Sequence, residues 1–255
     1  MKTSAASLIR PLSGIIAATF IAATVLSFGL EFGLFLKAPD LPETNDLVQN
    51  LLGGIDFQHA AWPFDLAANL LFAVGLVALV PFGRVLAALA PGDDWRTTVF
   101  SSALLVGGAL GAGAQLIYIG AKQTTIDNPY CDCGYKVQES ISQFWALMLI
   151  NGAHDWLING VAVLLALGVA LAGLVLVRRL MPPLWGALSW VTAAFALAGV
   201  LLQIGHFGPI GPLISAITTA VLLPAWVVWL GARIGGRGLA RAVPSLPDAE
   251  PVDVE

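Results

Sequence analysis

The sequence predicts an all-α polytopic membrane protein, a transmembrane helix bundle of about six spans. Three observations carry this. Of the 255 residues, 58% are hydrophobic and 11% are charged, whereas soluble domains have about 45–50% apolar residues with glycine included and about 25% charged. Mean hydropathy is +0.84. The apolar residues also form continuous runs of about twenty, the length that crosses a hydrocarbon core of about 30 Å. A β-barrel would instead show alternating segments of about ten. Backbone groups in lipid must be satisfied within the segment, which leaves helices. The same figures exclude a soluble fold, a disordered chain and a disulfide scaffold, since charge is scarce and there are only two cysteines.

The first run, 12–36, follows Lys2 and Arg10. It resembles a signal peptide in its flanks but is too long, continuing through Phe28, Phe32 and Phe35. No small-x-small site precedes Lys37, so it reads as an uncleaved helix. An outer segment, 37–65, begins with Pro39 and Pro42 and offers Thr44 or Asn45 as an N-cap. Leu47, Val48, Leu51, Leu52 and Ile55 then recur at helical spacing. This predicts a short amphipathic helix, stopped by Gly53-Gly54 and lying on the bilayer or the bundle. The second run is 66–82. The third, 97–121, carries small residues four apart at Gly107, Gly111 and Gly108, Ala112. That pattern suits close helix packing, within the bundle or between subunits.

A second outer segment, 122–155, holds Cys131 and Cys133. Its latter part, 137–150, is apolar enough to be helical. The fourth run, 156–177, therefore gains an outer extension, hinged near Gly152. The fifth and sixth runs, 184–204 and 210–230, are joined by the turn Gly205-His206-Phe207-Gly208-Pro209. Residues 1–234 form the membrane domain. The Pro- and acid-rich segment 235–255 reads as a disordered cytoplasmic tail.

Charge orients the spans. With the N-terminus inside, Lys2 and all eight Arg fall on the inner side, and only Lys37, Lys122 and Lys136 fall outside. The positive-inside rule then places both termini in the cytoplasm, with the spans in the cell's inner (plasma) membrane. Nine acids, Asp65 and Asp155 among them, lie on the outer side, which should attract cations.

The chemistry lies in the polar residues. Glu31, Asn69, Gln115, Asn159 and Gln203 are within or at the ends of spans. Such residues either hydrogen-bond across helices or line a path for an ion or small solute. His59, His154 and His206 are all on the outer side, with Asp155 nearby in sequence. Imidazole and carboxylate are ligands for a transition metal or haem iron. Short connections make the fourth, fifth and sixth helices successive neighbours. His154 and His206, with His59 and Asp155, are thus expected to face one outer pocket. The plainer role of such histidines is as amphipathic residues at the membrane interface. Cys131-Asp132-Cys133 suits a strained, reducible disulfide, two free thiols or a soft-metal site. No Ser-His-Asp, HExxH or Walker pattern appears, and no basic patch suits nucleic acid.

Two stretches carry a resemblance. Asp65-Leu66-Ala67-Ala68-Asn69-Leu70-Leu71-Phe72-Ala73-Val74-Gly75-Leu76 runs into Val80-Pro81, and Pro224-Ala225-Trp226-Val227-Val228-Trp229-Leu230-Gly231 lies near the end. They resemble the second and closing helices of a family of bacterial six-helix membrane proteins defined by a domain of unknown function (4386). The resemblance implies six helices and no known activity. The expected function is a membrane accessory or assembly subunit, or a module binding lipid or a membrane-protein partner, which includes a second copy of the chain. The alternatives are an outer-face metal or haem protein and a small-solute or ion transporter.

Overall fold

A computed structural model describes residues 2–31, 33, 47–90, 95–126, 136–177, 180–205 and 207–234. Six helices follow in order: α1 (Lys2–Glu31), α2 (Leu47–Leu89), α3 (Trp95–Ile126), α4 (Lys136–Leu176), α5 (Pro183–Ile204) and α6 (Ile210–Ile234). Each contains a segment long and apolar enough to cross a membrane. The chain is a multi-pass membrane protein on that length and composition. Lipid-facing side chains such as Ile117, Leu149 and Leu201 are exposed, as expected where the solvent is hydrocarbon.

Local chemistry fixes several boundaries. Pro183 opens α5, where a missing N–H costs nothing. Gly208, at φ 61°, takes the left-handed conformation that turns the chain from α5 into α6. Within α6, Thr218–Leu222 forms a π-turn just before Pro224. The wider turn accommodates a residue that has no N–H to offer and whose ring crowds the preceding turn.

One expectation is corrected. The amphipathic segment does not stop at Gly53-Gly54. Helix α2 runs without a break from Leu47 to Leu89, through Gly53, Gly54 and Pro63. The expected outer extension of the fourth span is present, since α4 is continuous from Lys136 through Gly152 to Leu176. A glycine inside a helix keeps its N–H and costs only about 1 kcal/mol relative to alanine, so it weakens a helix without ending it. Both helices thus extend well beyond the apolar windows. The outer segments lose Asp65 and Lys122 to the helices.

The helices form a closed ring in sequence order. Each packs on the next, and α6 returns to α1. At the end where α1 begins and α6 closes, the ring is filled. Trp185 stacks on Trp226 with centroids 5.2 Å apart, and Phe82 meets Trp226 edge-on at 6.1 Å. Trp226 Nε1 donates to Ser189 Oγ at 2.7 Å, and Trp185 Nε1 donates to the Trp226 carbonyl at 3.1 Å. Ile9, Leu86, Phe100, Leu176 and Leu230 complete this core. The glycine stripe of α3 is spent inside the bundle. A Cβ on Gly108 would lie 2.6 Å from the Leu76 carbonyl oxygen of α2, and one on Gly107 would lie 2.9 Å from Leu165 of α4.

Candidate functional site

The opposite end of the ring is hollow. A deep chamber of about 410 Å³ receives side chains from all six helices. A second chamber of about 430 Å³ lies beside it, and the two share Ser27, Asp65, Tyr118, His154 and Asp155 as walls. The deep part is largely apolar, with Phe20, Phe72, Leu76, Val161 and Leu165. Phe20 and Phe72 meet edge to face at 5.6 Å. The shared wall is polar. The whole is a cup: an apolar floor at mid-bundle, a packed plug beneath it and a hydrogen-bonded collar above.

Helical spacing builds the collar. Asp65 and Asn69 are one turn apart on α2, and Gln115, Tyr118 and Lys122 follow at three and four on α3, so each set shares a face. Asn69 Nδ2 donates to Asp65 Oδ1 at 2.8 Å and to the Asp65 carbonyl at 2.7 Å. Lys122 Nζ is ion-paired with Asp65 Oδ2 and donates to Tyr118 Oη at 2.9 Å. The Tyr118 hydroxyl donates to Asp65 Oδ2 at 3.1 Å. Lys122 is only 4% exposed. Its ammonium lies 5.5 Å from the Trp62 ring centroid and 5.3 Å from that of Tyr118. A lysine so deeply placed keeps its charge at tolerable cost only when paired and hydrogen-bonded, and here a carboxylate, a phenol and two ring faces do this.

Helix α4 closes the collar. The His154 ring lies 4.2 Å from Tyr118, tilted by 34°. His154 Nε2 shares a hydrogen bond of 3.1 Å with Gln115 Oε1. Its Nδ1 stands 3.6 Å from Asp155 Oδ1, and the Asp155 side chain is 73% exposed. Elsewhere on the cup wall, Gln203 Nε2 donates to Ser215 Oγ at 3.2 Å, and the Thr24 and Thr219 hydroxyls pair at 2.9 Å. Thr219 belongs to the π-turn of α6, so that irregularity lies on the cup wall.

No protein-family model, curated protein or solved structure matches this chain. The site must be read from its own chemistry.

Of the residues singled out in the sequence, Asn69, Gln115, His154, Asp155 and Gln203 all line the cup. Asn159 and His59, both half-buried, line neither chamber. Glu31 closes α1, and its side chain lies outside the described residues, as do Cys131, Cys133, His206 and the segment 235–255. Among the described residues no three His, Cys, Asp or Glu side chains gather as a metal site. His154 instead faces Gln115 and Tyr118. Sequence reading missed the Asp65–Lys122 pair and Tyr118, because both charges stood at the edges of apolar runs and were assigned to loops. The spacings 65/69 and 115/118/122 were the available signal.

Proposed function

We propose that the protein is a membrane-embedded binding module that holds an amphiphilic small molecule in the cup. The hydrocarbon part sits in the deep chamber, and the polar part meets the collar at Tyr118, His154 and Asp155, the wall common to both chambers. The supporting observation is the graded lining of one cavity fed by all six helices. Small-molecule sites typically combine apolar walls with a few fixed polar groups. The packed plug of Trp185, Trp226, Phe82 and Phe100 favours a blind cup over an open pore. The nine-to-three division of basic residues supports termini in the cytoplasm and a cup opening to the outer face of the inner membrane.

The test is to fill the cup. Ala162 and Ala216 line it from α4 and α6. Ala162→Phe combined with Ala216→Phe adds two rings to the chamber. Purified wild-type protein is expected to carry an amphiphile detectable by native mass spectrometry or organic extraction, and the double variant to lose it at least tenfold while remaining folded. Equal retention by both proteins would sink the reading.

A further inference from the structure

The charges around the cup define which headgroup it accepts. Among the described residues lining the two chambers, Lys122 is the one permanent cation. It is not on offer: it is 4% exposed and committed to Asp65, Tyr118 and the Trp62 ring. Asp65 is likewise committed, with Oδ1 held by Asn69 and Oδ2 by Lys122 and Tyr118. This pair cancels. Asp155 then stands in excess on the wall common to both chambers, 73% exposed, with the His154 ring at 3.6 Å as its partner among the described residues. An anionic headgroup arriving here would find no unspent ammonium or guanidinium among those residues, and would meet an exposed carboxylate.

A further observation points the same way. The chamber beneath is lined by Phe20, Phe28 and Phe72, and aromatic rings attract organic cations through their quadrupoles.

We infer that the ligand is a cationic amphiphile of the alkylammonium class, its charge held by Asp155 and its chain lying among Phe20, Phe72 and Leu165. This rests on the reading of the cup as an amphiphile site. The test uses three probes of equal chain length: decyltrimethylammonium, decanol and decanoate. Each is titrated into full-length protein in a non-ionic detergent. The readout is the rise in unfolding temperature, which reports affinity because a ligand of the folded state stabilises it by mass action. The doubly filled variant, Ala162→Phe with Ala216→Phe, serves as the blank.

The expected order is the ammonium tightest, the alcohol weaker and the carboxylate weakest, with at least a tenfold gap between first and last. Asp155→Asn, at an exposed position where folding is not at stake, is expected to bring the ammonium down to the level of the alcohol. Decanoate binding as tightly as the ammonium, an alcohol equal to it, or an unchanged ammonium affinity in Asp155→Asn would each overturn the inference while leaving the cup as a binding site. If none of the three probes shifts the wild type more than the filled variant, the binding reading itself fails.

Discussion

Replacing Lys122 by methionine is expected to be the most damaging single change at the cup. Methionine matches the lysine stem in length and removes only the charge. The loss strands the Asp65 carboxylate, whose side chain is 22% exposed, beside Tyr118 in an apolar bundle. Breaking one partner of a buried ion pair costs about 3–5 kcal/mol. The figure is large because the orphaned charge has lost its counter-ion, not because the intact pair is strongly stabilising. Replacing both partners is often close to neutral. Lys122→Met with Asp65→Asn is therefore expected to recover most of the loss. Unfolding midpoints for the two singles and the double complete a thermodynamic cycle. Additive losses, with no recovery in the double variant, would show that the pair is not coupled as described.

Removing Trp226 should have the second large effect. It is fully buried, stacked on Trp185, edge-on to Phe82 and hydrogen-bonded to Ser189. In water-soluble cores Trp→Ala costs about 3–5 kcal/mol. Part of that is transfer from water, which vanishes where the surroundings are lipid. What remains is the cavity, the lost dispersion contacts and the bond that Ser189 Oγ accepts, while its own donation to the Trp185 carbonyl at 3.0 Å is kept. A loss near the lower end, about 3 kcal/mol, is expected. Trp226→Phe keeps the ring but not the N–H donor, so it should lose less. The variant also tests whether the plug is needed beneath the cup. If Trp226→Ala unfolds with the wild-type midpoint, the packed end does not hold the bundle together.

The spans were legible because hydropathy is a cumulative signal. A run such as 184–204 needs no single residue to be interpreted correctly, and α5 begins and ends within a residue of it. The helix ends on the opposite side were less legible, for a physical reason. Hydropathy scores Asp65 and Lys122 one at a time, each as expensive in lipid. Their partnership, between residues 57 apart in sequence, cancels the charge and lets both helices continue. Gly53-Gly54 was read as a stop, but each glycine costs a helix only about 1 kcal/mol against alanine, which the flanking helical residues outweigh. The neutral polar residues show the converse. Asn69, Gln115 and Gln203 could be singled out as costly in a span, and each lines the cup. Nothing local distinguished them from Asn159, which lines neither chamber, because that difference depends on helix rotation within the ring.

The central claim is that the bundle is open at one end and plugged at the other. Cysteine accessibility in intact cells tests it most directly. In a Cys131→Ser, Cys133→Ser background, single cysteines replace Ala216 on the cup wall and Ala172 in the packed core, the latter 0% exposed. A membrane-impermeant, positively charged methanethiosulfonate is applied from the outside, and separately to inverted vesicles. The account predicts rapid modification at 216 from the outside only, and none at 172 from either side. Reaction at 216 from the inside alone would reverse the orientation. A residue 216 that is refractory from both sides, or a residue 172 that reacts as fast, would contradict the cup.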